Sequence, residues 1–135
     1  MRQAAKIGIY TSTVTDHFEH YVRPQENMAH DDTRWFTIAN EAGQGLLITA
    51  AENTHHVSFN VNHFTDKMID ETRHDYELAP LAETVVRVDY AHSGIGSNSC
   101  GPKLAEHLRL AEEHYAFAFR LLPACVNDVD GFDYL

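Results

Sequence analysis

Two apolar runs, Trp35 to Ala39 and Leu46 to Ala51, lie either side of a short glycine-bearing connection, Glu41 to Gly45. Runs of this length joined by about five residues containing glycine form antiparallel hairpins, and no other feature of the chain restricts its fold as much. A lone hairpin is at best marginally stable in water, so further strands must cover its apolar face. The remaining apolar segments are suitably short. Val57 to Val61 alternates apolar and polar residues, as a half-buried strand does. Thr84 to Asp89, with Val85, Val86 and Val88, reads as another strand, and Ile7 to Tyr10 as a short one. Asn27 to Thr33 reads as a polar turn. Phe64 to His74 places Phe64, Met68 and Ile69 at helical offsets and predicts a short helix. Short strands at close intervals with turn signals between them predict an all-β fold, an antiparallel β-sandwich.

The C-terminal third fits two patterns. Leu104, Leu108, Ala111 and Tyr115 recur at three- and four-residue spacings, as on an amphipathic helix, whereas Tyr115, Phe117, Phe119 and Leu121 alternate strictly. Alternation combined with aromatic content is the stronger β signal. The prediction is therefore a strand over Tyr115–Leu121, preceded by a short strand at His107–Leu110 and a turn at Ala111–Glu113. Residues 1–123 are read as one domain and 124–135 as a loose acidic tail.

Composition narrows the classes of partner. With 20 acidic against 10 basic residues the formal net charge is −10, which disfavours nucleic acid and anionic membranes. No apolar run reaches the ~18 residues of a membrane span, and the N-terminal Met-Arg-Gln-Ala-Ala-Lys-Ile has no signal-peptide character, so a cytoplasmic location is expected. Cys100 and Cys125 are too few for a disulfide framework. Ten histidines raise the question of a metal. His55 and His56 are adjacent and would face opposite sides of a strand, and neither His17/His20 nor His107/His114 has a supporting Cys or Glu pattern. The tail Asp128-Val129-Asp130-Gly131-Phe132-Asp133 lacks the twelfth-position Glu and the flanking helices of a calcium loop. No metal site is expected.

The polar segment after Asp89 carries the densest functional signal. Val88-Asp89-Tyr90-Ala91-His92-Ser93-Gly94-Ile95-Gly96-Ser97-Asn98-Ser99-Cys100-Gly101-Pro102 starts as a strand and becomes a loop of glycines, hydroxyls, an amide and a thiol. Loops of this kind on a β scaffold commonly hold binding residues. Gly-Ile-Gly-Ser-Asn-Ser-Cys-Gly-Pro resembles the signature near the C-terminus of glycoside hydrolase family 2 β-galactosidases, in the domain called the small chain when it is separately encoded. Two further blocks match in order. One runs from Ile7-Gly8-Ile9-Tyr10 through Tyr21-Val22-Arg23-Pro24-Gln25-Glu26-Asn27 to Arg34-Trp35; the other is Phe59 to His63 followed by His74-Asp75-Tyr76-Glu77-Leu78. The resemblance covers about residues 7–123. It departs from the family pattern at Met28, where glycine usually follows Pro-Gln-Glu-Asn, and it covers only the C-terminal part of that domain.

The resemblance implies part of a galactose mutarotase-like supersandwich with an accessory role. The two catalytic glutamates, and the Mg and Na that the family often uses, belong to a barrel domain outside this chain, which itself has no expected cofactor. The implied partners are the remainder of a β-galactosidase chain or its large subunit, a galactoside substrate, and a second copy through an uncovered face. The family's position matching Cys100 lies toward the galactosyl or aglycone edge. This makes His92, Asn98, Ser99 and Cys100 the substrate-proximal candidates, although His92 and Asn98 serve equally well in hydrogen bonds within the loop. Some members carry a sugar-stacking Trp where Cys100 stands, and a thiol cannot replace it. Arg23, Pro24, Gln25, Glu26 and Trp35 form a structural motif, with Glu26 expected to pair with Arg23 or Arg34, or to cap the turn, and Trp35 to pack in a sheet. Two other classes fit less of the sequence: a free-standing carbohydrate-binding module, and a mutarotase-like epimerase using His92 and Glu26 as base and acid.

Overall fold

The computed structural model describes residues 7–51, 54, 56–92 and 103–129. Among the described residues six strands carry the fold: β1 His30–Thr33, β2 Trp35–Ala39, β3 Gln44–Ala50, β4 Val57–Asn62, β5 Val85–Asp89 and β6 Phe119–Cys125. They form two three-stranded sheets, ordered β1-β4-β5 and β2-β3-β6. The second sheet is antiparallel throughout, with Phe36 opposite Ile48 and Ile48 opposite Leu121. Among the described residues the one α-helix is α1, Asp66–Glu71. The chain is all-β, as the sequence predicts.

The expected hairpin is β2–β3. Gly43 takes φ +79°, a conformation that a side chain disfavours. Its N–H donates to Asn40 O at 2.9 Å, and the Asn40 side chain accepts from the N–H groups of Ala42 and Gln44, both at 3.0 Å. An asparagine that satisfies the turn's donors and a glycine that closes it thus set the register of both strands. Helix α1 is capped by Thr65, whose hydroxyl accepts from Met68 N–H at 3.2 Å, and it buries Ile69.

The residues divide into two compact units. One contains Asp31–Ser58 and the described residues from Asp89 onward; its core is Phe36, Leu47, Ile48 and Val57. The other contains the described residues up to His30 together with Phe59–Val88; its core is Val61, Phe64 and Ile69, with Phe18 against Phe64 at 4.5 Å between ring centroids. The alternation read as a half-buried β4 is in fact a central strand. Val57, Ser58, Asn60, Val61 and Asn62, which alternate between the two faces, are all buried, and β1 and β5 flank the strand at its edges.

Three segments differ from the sequence reading. Ile7 to Tyr10 belongs to no strand, and Ile7 is 91% exposed; β-branched and aromatic residues favour a strand only where a face can be buried. His107–Leu110 is not a strand either, Glu106–Leu108 being a 3-10 turn. Strand β6 begins at Phe119 and continues through Pro123 to Cys125, later than the expected Tyr115–Leu121, because its partner β3 ends opposite Phe119 at Ala50. Conversely, β1 occupies the expected polar turn. Its Asp31 finds polar partners rather than apolar ones, so composition conceals the strand.

Candidate functional site

In the unit that holds it, the Arg23-Pro24-Gln25-Glu26-Asn27 segment is fixed largely by Asn27. The Asn27 amide donates to Glu19 O at 2.9 Å and Gln25 O at 3.0 Å, while its oxygen accepts from Glu19 N–H at 2.9 Å. The Asn27 carbonyl accepts from the Asn60 amide. Asn60 in turn accepts from the Asn62 amide at 2.7 Å, and Asn62 accepts from Phe64 N–H at 2.7 Å. This relay of buried amides ties the segment to β4. Pro24 is buried and fixes its own φ, while Met28 has φ +56°, the left-handed geometry that suits glycine.

Glu26 pairs with neither Arg23 nor Arg34 in an ion pair of the described residues. The Arg87 guanidinium grips both Glu26 oxygens, one through Nη2 at 3.0 Å, and also donates to Asp66 Oδ1 at 2.9 Å. A planar fork reaches two oxygens at once, which explains why a distant arginine on β5 takes the role. A cleft of about 420 Å³ adjoins this pair, lined by Arg23, Pro24, Gln25, Glu26, Asp66, Ile69 and Asp70. The two carboxylates brought together here are therefore both held by one cation.

His92 lies in the other unit, just beyond β5. Its Nδ1 is 2.7 Å from Asp31 Oδ1 and its Nε2 is 3.0 Å from Asp89 Oδ2; Ser58 Oγ donates to the same Asp31 oxygen at 2.7 Å. Burial raises the Asp31 pKa, but hydrogen bonds from His92 and Ser58 outweigh it and hold the carboxyl below its ordinary value. With both ring nitrogens engaged by carboxylates, His92 anchors the end of β5 rather than presenting a vacant base. Asn98, Ser99 and Cys100 lie outside the described residues. Trp35 is half-buried on β2, opposite Thr49. Among the described residues no group of three or more His, Cys, Asp or Glu side chains converges as metal ligands, and no helix is long and apolar enough to cross a membrane.

The side chains that position these groups but escape sequence reading are Arg87, Asp66, Asn60, Asn62 and Asp31. Alternation in β4 marks Asn60 and Asn62 as solvent-facing, and nothing local announces that their amides form a relay.

A sequence model described as beta galactosidase small chain matches residues 1–121. The chain belongs to the β-galactosidase small-chain family. Among its curated relatives, a β-galactosidase of Staphylococcus xylosus is 43% identical over 112 residues, covering 83% of this chain and 11% of its own length. One from Actinobacillus pleuropneumoniae is 36% identical over 118 residues, covering 87% of this chain and 11% of its own. One from Kluyveromyces lactis is 30% identical over 120 residues, covering 89% and 11% respectively. The chain thus spans about 11% of the length of these relatives.

Proposed function

We propose that the chain is the accessory C-terminal part of a β-galactosidase small-chain domain, within a galactose mutarotase-like sandwich, and that it shapes the active-site entrance and supports assembly. The enzyme it serves hydrolyses terminal β-galactosides such as lactose. One observation carries the accessory reading. Strand β6 pairs with β3 alone among the described strands, and its neighbouring residues Leu121 and Leu122 are 55% and 40% exposed. Adjacent strand residues point to opposite faces, so both faces of β6 present apolar surface. Phe119, Tyr115, Tyr90 and Leu46 are exposed in the same unit. Apolar surface of this extent marks a contact with more protein, and the remainder of the β-galactosidase is the partner proposed for it.

The chemistry of the side chains agrees with that division of labour. A retaining glycosidase needs one carboxyl as acid/base and another as nucleophile, about 5–5.5 Å apart. Glu26 and Asp66 are instead bound to Arg87, and His92 is spent on Asp31 and Asp89. The proposal therefore places the catalytic glutamates elsewhere in the enzyme.

The test is hydrolysis of a chromogenic β-galactoside by this chain alone, by the remainder of its enzyme alone, and by the two mixed. Activity recovered only on mixing, and lost when Leu121→Asp and Leu122→Asp are combined, is the expected result. Turnover by the isolated chain, or full activity of the remainder without it, would overturn the accessory role.

A further inference from the structure

Among the described residues, histidine ring nitrogens reach two kinds of partner. His20 and His92 direct ring nitrogens at carboxylates, His20 Nδ1 lying 2.8 Å from Asp75, and His63 directs Nδ1 at the Glu83 carbonyl at 3.1 Å. His17 and His30 direct nitrogens at each other: His30 Nε2 is 2.9 Å from His17 Nδ1. Two facing imidazole nitrogens share one hydrogen, so one of them must present a lone pair. The ring centroids are 4.8 Å apart and the planes inclined at 54°, so the rings are neither stacked nor coplanar. Two imidazole nitrogens that already face each other at this spacing can both be turned on one ion by a small swing of either ring.

We infer that His17 and His30 form a two-histidine binding site for a borderline transition-metal ion of the zinc class. Zn–N bonds of about 2.0–2.1 Å in tetrahedral geometry require the two nitrogens to separate by only a few tenths of an ångström from their present spacing. Imidazole is a preferred ligand for such ions, and neutral histidine is the ligating form. The shared hydrogen is lost from the facing nitrogen through solvent while the other nitrogen of that ring takes one up, so both rings remain neutral and both facing lone pairs reach the ion. Water completes the coordination.

Both rings are held in place for this. His30 stacks on Phe59, with centroids 4.8 Å apart and planes at 17°, and His17 ends the 3-10 turn Thr15–His17. Both side chains belong to the same compact unit and are part-buried. Bound there, the ion clips residue 17 to residue 30 and closes the loop that contains Arg23 to Asn27. The site is independent of the galactosidase reading.

Zinc chloride titrated into the metal-free chain tests this, with isothermal calorimetry and the thermal midpoint as readouts. The expected result is one ion per chain and a midpoint rise of about 5 °C at ion well above its dissociation constant. His17→Gln and His30→Gln should each weaken this binding at least about tenfold, while His107→Gln, at an exposed histidine, should leave it intact. The midpoint of each variant in EDTA separates loss of binding from loss of folding. Absence of a stoichiometric event in the parent chain, or its survival in His17→Gln with a normal EDTA midpoint, would overturn the site.

Discussion

Adding a single methyl group at Gly45 should disrupt the β2–β3 hairpin more than any other glycine-to-alanine change within it. A Cβ built on Gly45 meets backbone: the Ile38 carbonyl oxygen, and Ala39 Cα at 2.6 Å. Neither can swing aside as a side-chain tip would, so β2 and β3 must part where Ala39 faces Gly45 and Ile38 faces Leu46. Separation sacrifices two or three ladder bonds at about 1 kcal/mol each, giving a loss of about 3 kcal/mol for Gly45→Ala. With about 2.1 cal/mol/K of unfolding entropy per residue, the 135-residue chain should melt about 10 °C lower.

Two other glycines calibrate the comparison. Gly43→Ala meets nothing nearer than the Asn127 amide at 3.5 Å but must adopt φ +79°, for a net cost of about 1 kcal/mol. Gly8→Ala, in exposed chain with only the Tyr10 ring at 3.4 Å, should stay within about 0.5 kcal/mol of the parent. Urea unfolding followed by circular dichroism measures all three. The steric argument fails if Gly45→Ala costs less than about 1 kcal/mol or ranks beside Gly8→Ala.

Asn60→Leu preserves bulk but deprives both the Asn27 carbonyl and the buried Asn62 amide of their partner; at about 1–3 kcal/mol per orphaned group, urea titration should show about 3 kcal/mol lost. Asp31 has a pKa lower in the folded chain than in the unfolded one, so it adds stability above its unfolded value that disappears as pH falls through the folded one. Unfolding measured from about pH 5 down to pH 2 should accordingly be less pH-dependent in Asp31→Asn than in the parent, and parallel curves would contradict the assignment.

What the sequence discloses here is whatever is local. The β2–β3 hairpin, β4, β5 and α1 each announce themselves within a few residues, through the glycine-bearing connection, apolar alternation, runs of valine, or the helical offsets of Phe64, Met68 and Ile69. The edges of β6 do not, because Tyr115 and Phe117 alternate as convincingly as Phe119 and Leu121; only the length of β3 decides where pairing starts. Strand β1 is hidden for the opposite reason, its polar side chains looking like a turn until Ser58 and His92 are seen to bind Asp31. At the Pro-Gln-Glu-Asn segment the fixing of Glu26 was foreseeable from its charge. Its partner was not, since Arg87 is 61 positions away and arrives through strand pairing rather than proximity in the chain.

The register that sets Gln44 opposite Cys125 also orders events during synthesis. The hairpin of β2 and β3 can form as soon as it leaves the ribosome. One edge of β3, a strand whose Leu47, Ile48 and Thr49 end up sequestered from water, must then wait while α1 and β5 are made before β6 arrives to cover it. Pairings this remote are slow to nucleate and leave a sticky edge open meanwhile. Nascent chains stalled before β6 should therefore be the form that chaperones hold longest.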